Sequence, residues 1–339
     1  MHAVAQAAPG SETTNSARIH AESLLFAPIE PYASGYLNVG SGHQMYWEQC
    51  GNPEGVPVAV LHGGPGAGAS PLHRRFFDPS FYRIVIFDQR GAGRSQPLGA
   101  VEANTPDHLV ADIEKLRRHL NIDRWHVFGG SWGAALALCY SVQNPHAVTG
   151  LVLRAVFLMS RAETKWFLEG MRRFYPEAWA EFAGFCGVEA HDPDALLNAY
   201  HSVLFGPDKD RALEAARRWT RYESACAAFR PQSLSGFQAD AAHVLALAQI
   251  ETHYFRSQMM ENQDLLLGKV RAIANHPGII LHGRHDVICP PCNAYDLKAQ
   301  WPAARLEFIE GAGHTAMDPE MTAALVGATE TAKSWPVQS

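Results

Sequence analysis

The chain has 339 residues and a net charge of −6, and 47% of its residues are apolar against 18% charged, which suits one large domain or a core with an insertion. Both signs of charge are mixed, no basic stripe occurs and no apolar run is long enough to span a membrane, so we expect neither a nucleic-acid nor a membrane partner. Six scattered cysteines predict reduced thiols and a cytoplasmic location.

The N-terminal residues 1–18 are rich in Ala, Ser and Thr and lack the basic start of a secretory signal. We predict a disordered leader over residues 1–30. Strand and helix patterns alternate over residues 31–160 and 263–339, which predicts an α/β core. Over residues 161–262 only helical patterns occur, which predicts an all-helical cap domain.

The first core strand that the pattern indicates is Val58–Leu61, and it leads into the glycine-rich loop His62-Gly-Gly-Pro-Gly66. Backbone N–H groups of such a loop can face a phosphate or a developing oxyanion. The loop has neither the G-K-[ST] ending of a P-loop nor the G-x-G-x-x-G of a dinucleotide site, which disfavours phosphate.

Further strands are predicted at Arg83–Phe87 and Trp125–Phe128, with a helix at about 106–120 between them. The second of these strands runs into Gly129-Gly-Ser-Trp-Gly133, and a new helix follows at once. A G-x-S-x-G between strand and helix is typical of a nucleophile elbow, in which only glycine fits on either side of the strained serine. Ser131 is therefore the candidate nucleophile.

Strand patterns end after Gly150–Val156, and helical periodicity with many aromatic residues follows. Two of these helices, at about 211–227 and 239–255, place Glu223 and Glu251 inside their apolar stripes. A carboxylate on an apolar face must be paired, protonated or able to receive a ligand. The alternatives are a cation on a substrate, pairing with Arg230 or Arg256, or a position at the solvated rim.

The strand pattern resumes at Ile279–Leu281 and Leu306–Ile309, which are followed by Asp286 and His314 respectively. The chain order Ser131, Asp286, His314 is the order of a catalytic triad on a sheet that carries a nucleophile elbow. The oxyanion donors expected with it are the N–H groups of Trp132 and Gly64, with Gly63 shaping the turn. Cys289-Pro-Pro-Cys292 has redox spacing but the wrong context, so we interpret both cysteines as structural, and no metal or cofactor is expected.

Motifs throughout the chain resemble those of the prolyl aminopeptidases (proline iminopeptidases) of the α/β-hydrolase fold. The matching segments begin at His62, Asp88, Gly129, Leu151, Trp219, Ile250, Gly283 and Gly311, and they include Asp88-Gln-Arg-Gly-Ala-Gly-Arg-Ser95 and Trp219-Thr-Arg-Tyr-Glu223. The resemblance implies a mainly parallel sheet flanked by helices, with an all-helical cap inserted after the sixth core strand. Departures are Ala155, where the family usually has glycine, Ala134 at a position usually Ser or similarly small, and His285 and Phe167, where tyrosine is common.

The resemblance also implies an activity: release of N-terminal proline from small peptides. Ser131 would be the nucleophile, His314 the base and Asp286 its orienting partner, while Glu223 and Glu251 would bind the substrate's imino nitrogen. Phe157, Phe167 and Phe255 would line the proline-ring pocket. A carboxylesterase or amidase of the same fold is the main alternative, a non-catalytic ligand sensor is another, and a homo-oligomer is compatible with the sequence.

Overall fold

Eight strands form one sheet in the computed structural model, which describes residues 17, 19–187, 192–229, 240–257 and 263–336, with only the backbone for 263–265. The sheet order is β1-β2-β4-β3-β5-β6-β7-β8, and every pair from β4 through β3 to β8 is parallel. The strands are β1 Ala33–Gly40, β2 His43–Gly51, β3 Val56–Leu61, β4 Tyr82–Phe87, β5 Trp125–Ser131, β6 Val148–Val156, β7 Gly278–Gly283 and β8 Ala304–Ile309. The predicted mainly parallel sheet is thereby confirmed.

The first two strands form an antiparallel hairpin that the sequence analysis did not predict. Its turn contains Ser41 and Gly42, whose φ angles are 52° and 78°. Two successive positive φ angles are typical of the type I′ turn, whose twist matches that of paired strands. The Ser-Gly pair between alternating residues is the signal that indicates this hairpin.

Helices cover both faces of the sheet because each central strand is apolar on both sides. In β3, Val58 and Val60 join one buried cluster, whereas Ala59 and Leu61 join the other. The core helices are α1 Pro106–His119, α2 Trp132–Gln143, α8 Gln263–Lys269, α9 Cys292–Gln300 and α10 Pro319–Ala332. None of the described helices has the length and apolar content of a membrane span.

The chain between β6 and β7 contributes the predicted helices, inserted after the sixth strand. They are α3 Arg161–Leu168, α4 Pro176–Gly184, α5 Pro193–Leu204, α6 Lys209–Ala227 and α7 Ala241–Arg256. Helices α6 and α7 are the two whose apolar stripes contain the glutamates, and they pack against each other. We refer to α3 through α7 as the helical insertion.

Part of the predicted leader is ordered. Residues 19–23 are helical, Ala21 and Leu25 are buried, and the Phe26 N–H donates to the Arg75 carbonyl. The Arg75 guanidinium donates in turn to the carbonyls of Glu22 and Phe26. The prediction of disorder to residue 30 therefore does not hold for residues 19–30, while residues 1–16 and 18 lie outside the described part of the chain.

Candidate active site

Ser131 ends strand β5 in a conformation that L-residues rarely adopt, with φ 59° and ψ −125°. The glycines on either side allow this turn. A Cβ on Gly129 would lie 2.3 Å from the Gly133 carbonyl oxygen, and one on Gly133 would lie 2.2 Å from the Leu61 carbonyl oxygen. The prediction that only glycine fits at these two positions is confirmed.

His314 and Asp286 meet Ser131 above the ends of β7 and β8. The Nε2 atom of His314 lies 3.0 Å from the Ser131 Oγ, and its Nδ1 lies 2.9 Å from Asp286 Oδ2 and 3.1 Å from Oδ1. The structure thus brings together the three residues that the sequence placed 155 and 28 positions apart. The geometry suits proton transfer from the serine to an imidazole oriented by a carboxylate.

Asp286 keeps its negative charge despite complete burial. Burial by itself raises the pKa of Asp286, but the charge of His314, its hydrogen bond and the Cys289 N–H, which donates at 2.9 Å, together hold it below the ordinary value. His282 is a neutral neighbour. Its Nδ1 accepts from the Val156 N–H, its Nε2 donates to the Cys289 carbonyl, and burial lowers its pKa.

The His314 loop is held from two sides. The N–H groups of His314 and Thr315 both donate to the Ala227 carbonyl, at 2.8 and 3.0 Å. The guanidinium of Arg154 donates to the His314 carbonyl from the end of β6. Since Ala227 is the last residue of α6, the helical insertion contributes directly to the position of the imidazole.

The candidate oxyanion donors lie next to the serine. A Cβ on Gly63 would lie 3.6 Å from the Ser131 Cβ, and Gly64 lines the same cavity as Ser131. Gly64 has a φ of 111°, which favours glycine at this position. Trp132 is the first residue of α2, so its N–H has no acceptor within the helix.

A cavity extends from Ser131 into the helical insertion. Glu223 and Glu251 both line it, together with the three predicted aromatic residues Phe157, Phe167 and Phe255. Phe167 contacts Phe255 edge to face, with 5.5 Å between ring centroids. The structure therefore brings the predicted carboxylates, the predicted aromatic wall and the serine to one place.

The two glutamates have no cationic side-chain partner among the residues described. Arg256 is exposed and its Nε donates to Asn198 Oδ1, while Arg230 lies outside the described part of the chain. Burial raises the pKa of Glu251 well above its ordinary value, and the nearby charge of Glu223 raises it further. Burial also raises the pKa of Glu223, which His314 partly offsets. Two close carboxylates under these conditions favour a cation between them.

Sequence reasoning missed several parts of this cavity. Trp219 donates its indole N–H to Glu251 Oε2 at 2.5 Å, a contact between two helices that no local pattern indicates. Ile288 and Cys289 contribute to the wall. Glu163 also lines the cavity, but its oxygens accept from Ser160, Leu158 and Asn293. The signature Ser160-x-x-Glu163 is a capping box, which could have located it.

The cysteines of the Cys-Pro-Pro-Cys segment differ in exposure. Cys289 is buried against the cavity, Cys292 is exposed at the start of α9, and neither forms a disulfide. Burial raises the pKa of both thiols. A raised pKa disfavours the thiolate that redox chemistry needs, which agrees with the structural interpretation.

Comparison with known proteins places these features in a class. Residues 56–320 match the family model described as the alpha/beta hydrolase fold. A solved proline iminopeptidase of Mycobacterium smegmatis is similar in fold, with a TM-score of 0.58 and 19% identity over 89% of this chain and 99% of that one. The sheet, the elbow and the residues that converge on Ser131 are those of an α/β hydrolase.

Relatives with similar sequences identify the family within the α/β hydrolases. A proline iminopeptidase of Arabidopsis thaliana is 49% identical over 91% of this chain and 82% of its own length. One of Xylella fastidiosa (strain Temecula1) is 47% identical over 91% of this chain and 98% of its own. The chain belongs to the proline iminopeptidase family of α/β hydrolases.

Proposed function

We propose that this protein is a serine aminopeptidase that releases N-terminal proline from small peptides. The observation that carries the proposal is the pair Glu223 and Glu251, which face the cavity of Ser131 and have no cationic side-chain partner among the residues described. An N-terminal proline has a secondary ammonium with two N–H donors and an apolar ring. Two carboxylates and an aromatic wall match these two features.

In the reaction we propose, His314 Nε2 removes the Ser131 proton while Oγ forms a bond to the first carbonyl carbon of the peptide. The oxygen becomes an oxyanion facing the N–H groups of Gly64 and Trp132. His314 then returns the proton to the leaving nitrogen, the C–N bond breaks, and the shortened peptide departs. Water attacks the prolyl ester by the same route and releases proline.

The position of the cation explains why only the first peptide bond is cut. The ammonium belongs to the same residue as the carbonyl that reaches Ser131, so the carbonyl of a bond further along the peptide cannot be placed there while the ammonium is bound. In our proposal residues 161–262 form a cap domain on the core of residues 31–160 and 263–339. We also propose that the protein is located in the cytoplasm, in keeping with its six free cysteines.

The experiment compares four substrates of the wild-type protein: prolyl-arylamide, alanyl-arylamide, N-acetylprolyl-arylamide and a neutral aryl ester. We expect prolyl-arylamide to be cleaved fastest among the amides and the N-acetylated compound to be nearly inert. Equal rates for the free and N-acetylated compounds would show a carboxylesterase or amidase without an amine site. Failure of Ser131 to react with a fluorophosphonate, with Ser131→Ala as the blank, would instead indicate a ligand sensor.

A further inference from the structure

Gln89 lies between the two elements that carry the candidate oxyanion donors. Gln89 follows β4, is buried, and forms hydrogen bonds through three of its atoms. Its side-chain Oε1 accepts from the Trp132 indole N–H at 2.9 Å, and its Nε2 donates to the His62 carbonyl at 2.8 Å. Its backbone N–H donates to the His62 Nε2 at 2.9 Å.

The bond from Gln89 fixes the tautomer of His62. Because His62 Nε2 accepts a hydrogen bond, the ring proton is on Nδ1, from which it donates to the Gly63 carbonyl at 2.9 Å. Burial lowers the pKa of His62, which keeps the ring in this neutral form. The imidazole is thus a rigid link from Gln89 to the Gly63 carbonyl.

The Gly63 carbonyl and the Gly64 N–H belong to one planar peptide group and point in opposite directions. A carbonyl held by His62 on one side, and by the Ala67 N–H at 3.3 Å, therefore fixes the direction of the Gly64 N–H. On the other side, Gln89 holds the indole of Trp132, the residue whose backbone N–H begins α2. Gln89 is therefore linked to both donors: its backbone N–H holds the His62 imidazole, and its side chain holds the His62 carbonyl and the Trp132 indole.

We propose that Gln89, acting through His62 and Trp132, is a positioning residue that holds the two oxyanion-hole donors at a fixed separation. The inference rests on the proposed acyl-transfer chemistry of Ser131. Gln89 touches neither the substrate nor the reacting atoms in this proposal. Its effect is confined to interactions that form when charge develops on the carbonyl oxygen.

The test uses Gln89→Met, which keeps the length of the side chain, removes its hydrogen bonds to the His62 carbonyl and the Trp132 indole, and leaves the backbone N–H bond to His62 Nε2. Gln49→Met is the matched control, since Gln49 is also buried and accepts from Arg83, but lies on β2. Two ligands are compared by competition: pyrrolidine, which has the amine alone, and pyrrolidine-2-boronic acid, which also forms a tetrahedral adduct with the serine.

We expect Gln89→Met to weaken the boronic acid roughly 10- to 100-fold, to lower kcat for the aryl ester by a similar factor, and to leave pyrrolidine within about twofold. Gln49→Met should change none of these. Equal weakening of both ligands, or an unchanged kcat for the ester, overturns the inference. If pyrrolidine fails to bind the wild-type protein, the amine site is wrong, but the ester still tests Gln89.

Trp132→Phe supplies a second variant in case Gln89→Met does not fold. It removes the indole N–H together with part of the bicyclic ring system, and it keeps an aromatic ring beside Tyr254, whose ring centroid lies 4.5 Å from that of Trp132. We expect it to weaken the boronic acid while sparing pyrrolidine, and the double variant to lose less than the product of the two single losses, because both remove the same bond. Multiplicative losses contradict the shared link.

Discussion

Replacing Glu251 by glutamine tests the amine site with little change in shape. The amide oxygen of glutamine can still accept from the Trp219 indole, so the packing between α6 and α7 is kept. What is lost is one of two negative charges that the substrate's ammonium would contact. We therefore expect the change to affect substrates that carry this ammonium and to spare those that do not.

The magnitude follows from burial and from the coupling of the pair. Truncating one partner of a buried, hydrogen-bonded charge pair costs about 2–5 kcal/mol. Part of that is offset here, because Glu223 and Glu251 repel each other in the empty site and the pKa of Glu251 is already raised. We expect the lower part of the range, about 2–3 kcal/mol, which is about 30- to 150-fold in kcat/KM for prolyl-arylamide.

The assay measures kcat/KM for prolyl-arylamide and for a neutral aryl ester, together with the urea midpoint of each variant. The ester should change less than about threefold, and the midpoint should stay or rise, because a buried carboxylate with a raised pKa opposes folding. Glu214→Gln is the control, since Glu214 is on α6 but is only half-buried and pairs with Arg218. An equal loss for amide and ester, or a lower midpoint, refutes the reasoning.

Three further results are expected. Protons and the substrate's ammonium compete for Glu223 and Glu251, whose pKa values are raised, so KM for prolyl-arylamide should rise as the pH falls. For the same reason, calorimetry in two buffers should show proton release when pyrrolidine binds. A KM that does not depend on pH in the wild-type protein contradicts the amine site. Burial lowers the pKa of His126 to about 4, so the unfolded chain binds the proton first and the free energy of unfolding falls as the pH drops below about 6.5. In His126→Phe, urea unfolding should show that about 2 kcal/mol of the wild-type loss between pH 7.5 and 5 is absent. An unchanged loss refutes the assignment to His126. Ala155 has a φ of 50°, so Ala155→Gly should raise the free energy of unfolding by up to about 1 kcal/mol, and a decrease would show that the backbone there is unstrained.

The sequence was most informative where a strand ends in a glycine-rich loop. Strand β5 and the elbow, or β3 and the loop from His62, could be predicted because the apolar run and the glycines that follow are adjacent in the chain. The glycine requirement is local only at Gly129, where a Cβ would meet the Gly133 carbonyl; at Gly133 it arises from the Leu61 carbonyl on β3. The pattern of an apolar run followed by glycines is visible without knowledge of distant residues, although the contact that excludes a Cβ at Gly133 is not.

Contacts between distant elements could not be predicted in this way. The apolar stripe around Glu251 indicated that this residue is buried, but not that Trp219 on another helix donates to it. Nor does any pattern indicate that the Ala227 carbonyl accepts from His314, 87 residues later. The departure at Ala155 is an intermediate case: a positive φ suits the glycine that the resemblance leads us to expect there, but the angle is visible only in the structure.

In the proposed reaction, the link between Ala227 and His314 gives the helical insertion a part in the chemistry as well as in the choice of substrate. Glu223 lies one turn before Ala227 on α6, and the same helix end that accepts from the His314 N–H therefore carries one of the proposed amine ligands. In the proposed complex, an ammonium bound at Glu223 would restrain this helix end and, through it, the imidazole beside Ser131. Binding at a group that does not react then contributes to the orientation of the base, so a substrate without the free imino group is expected to lose kcat as well as affinity.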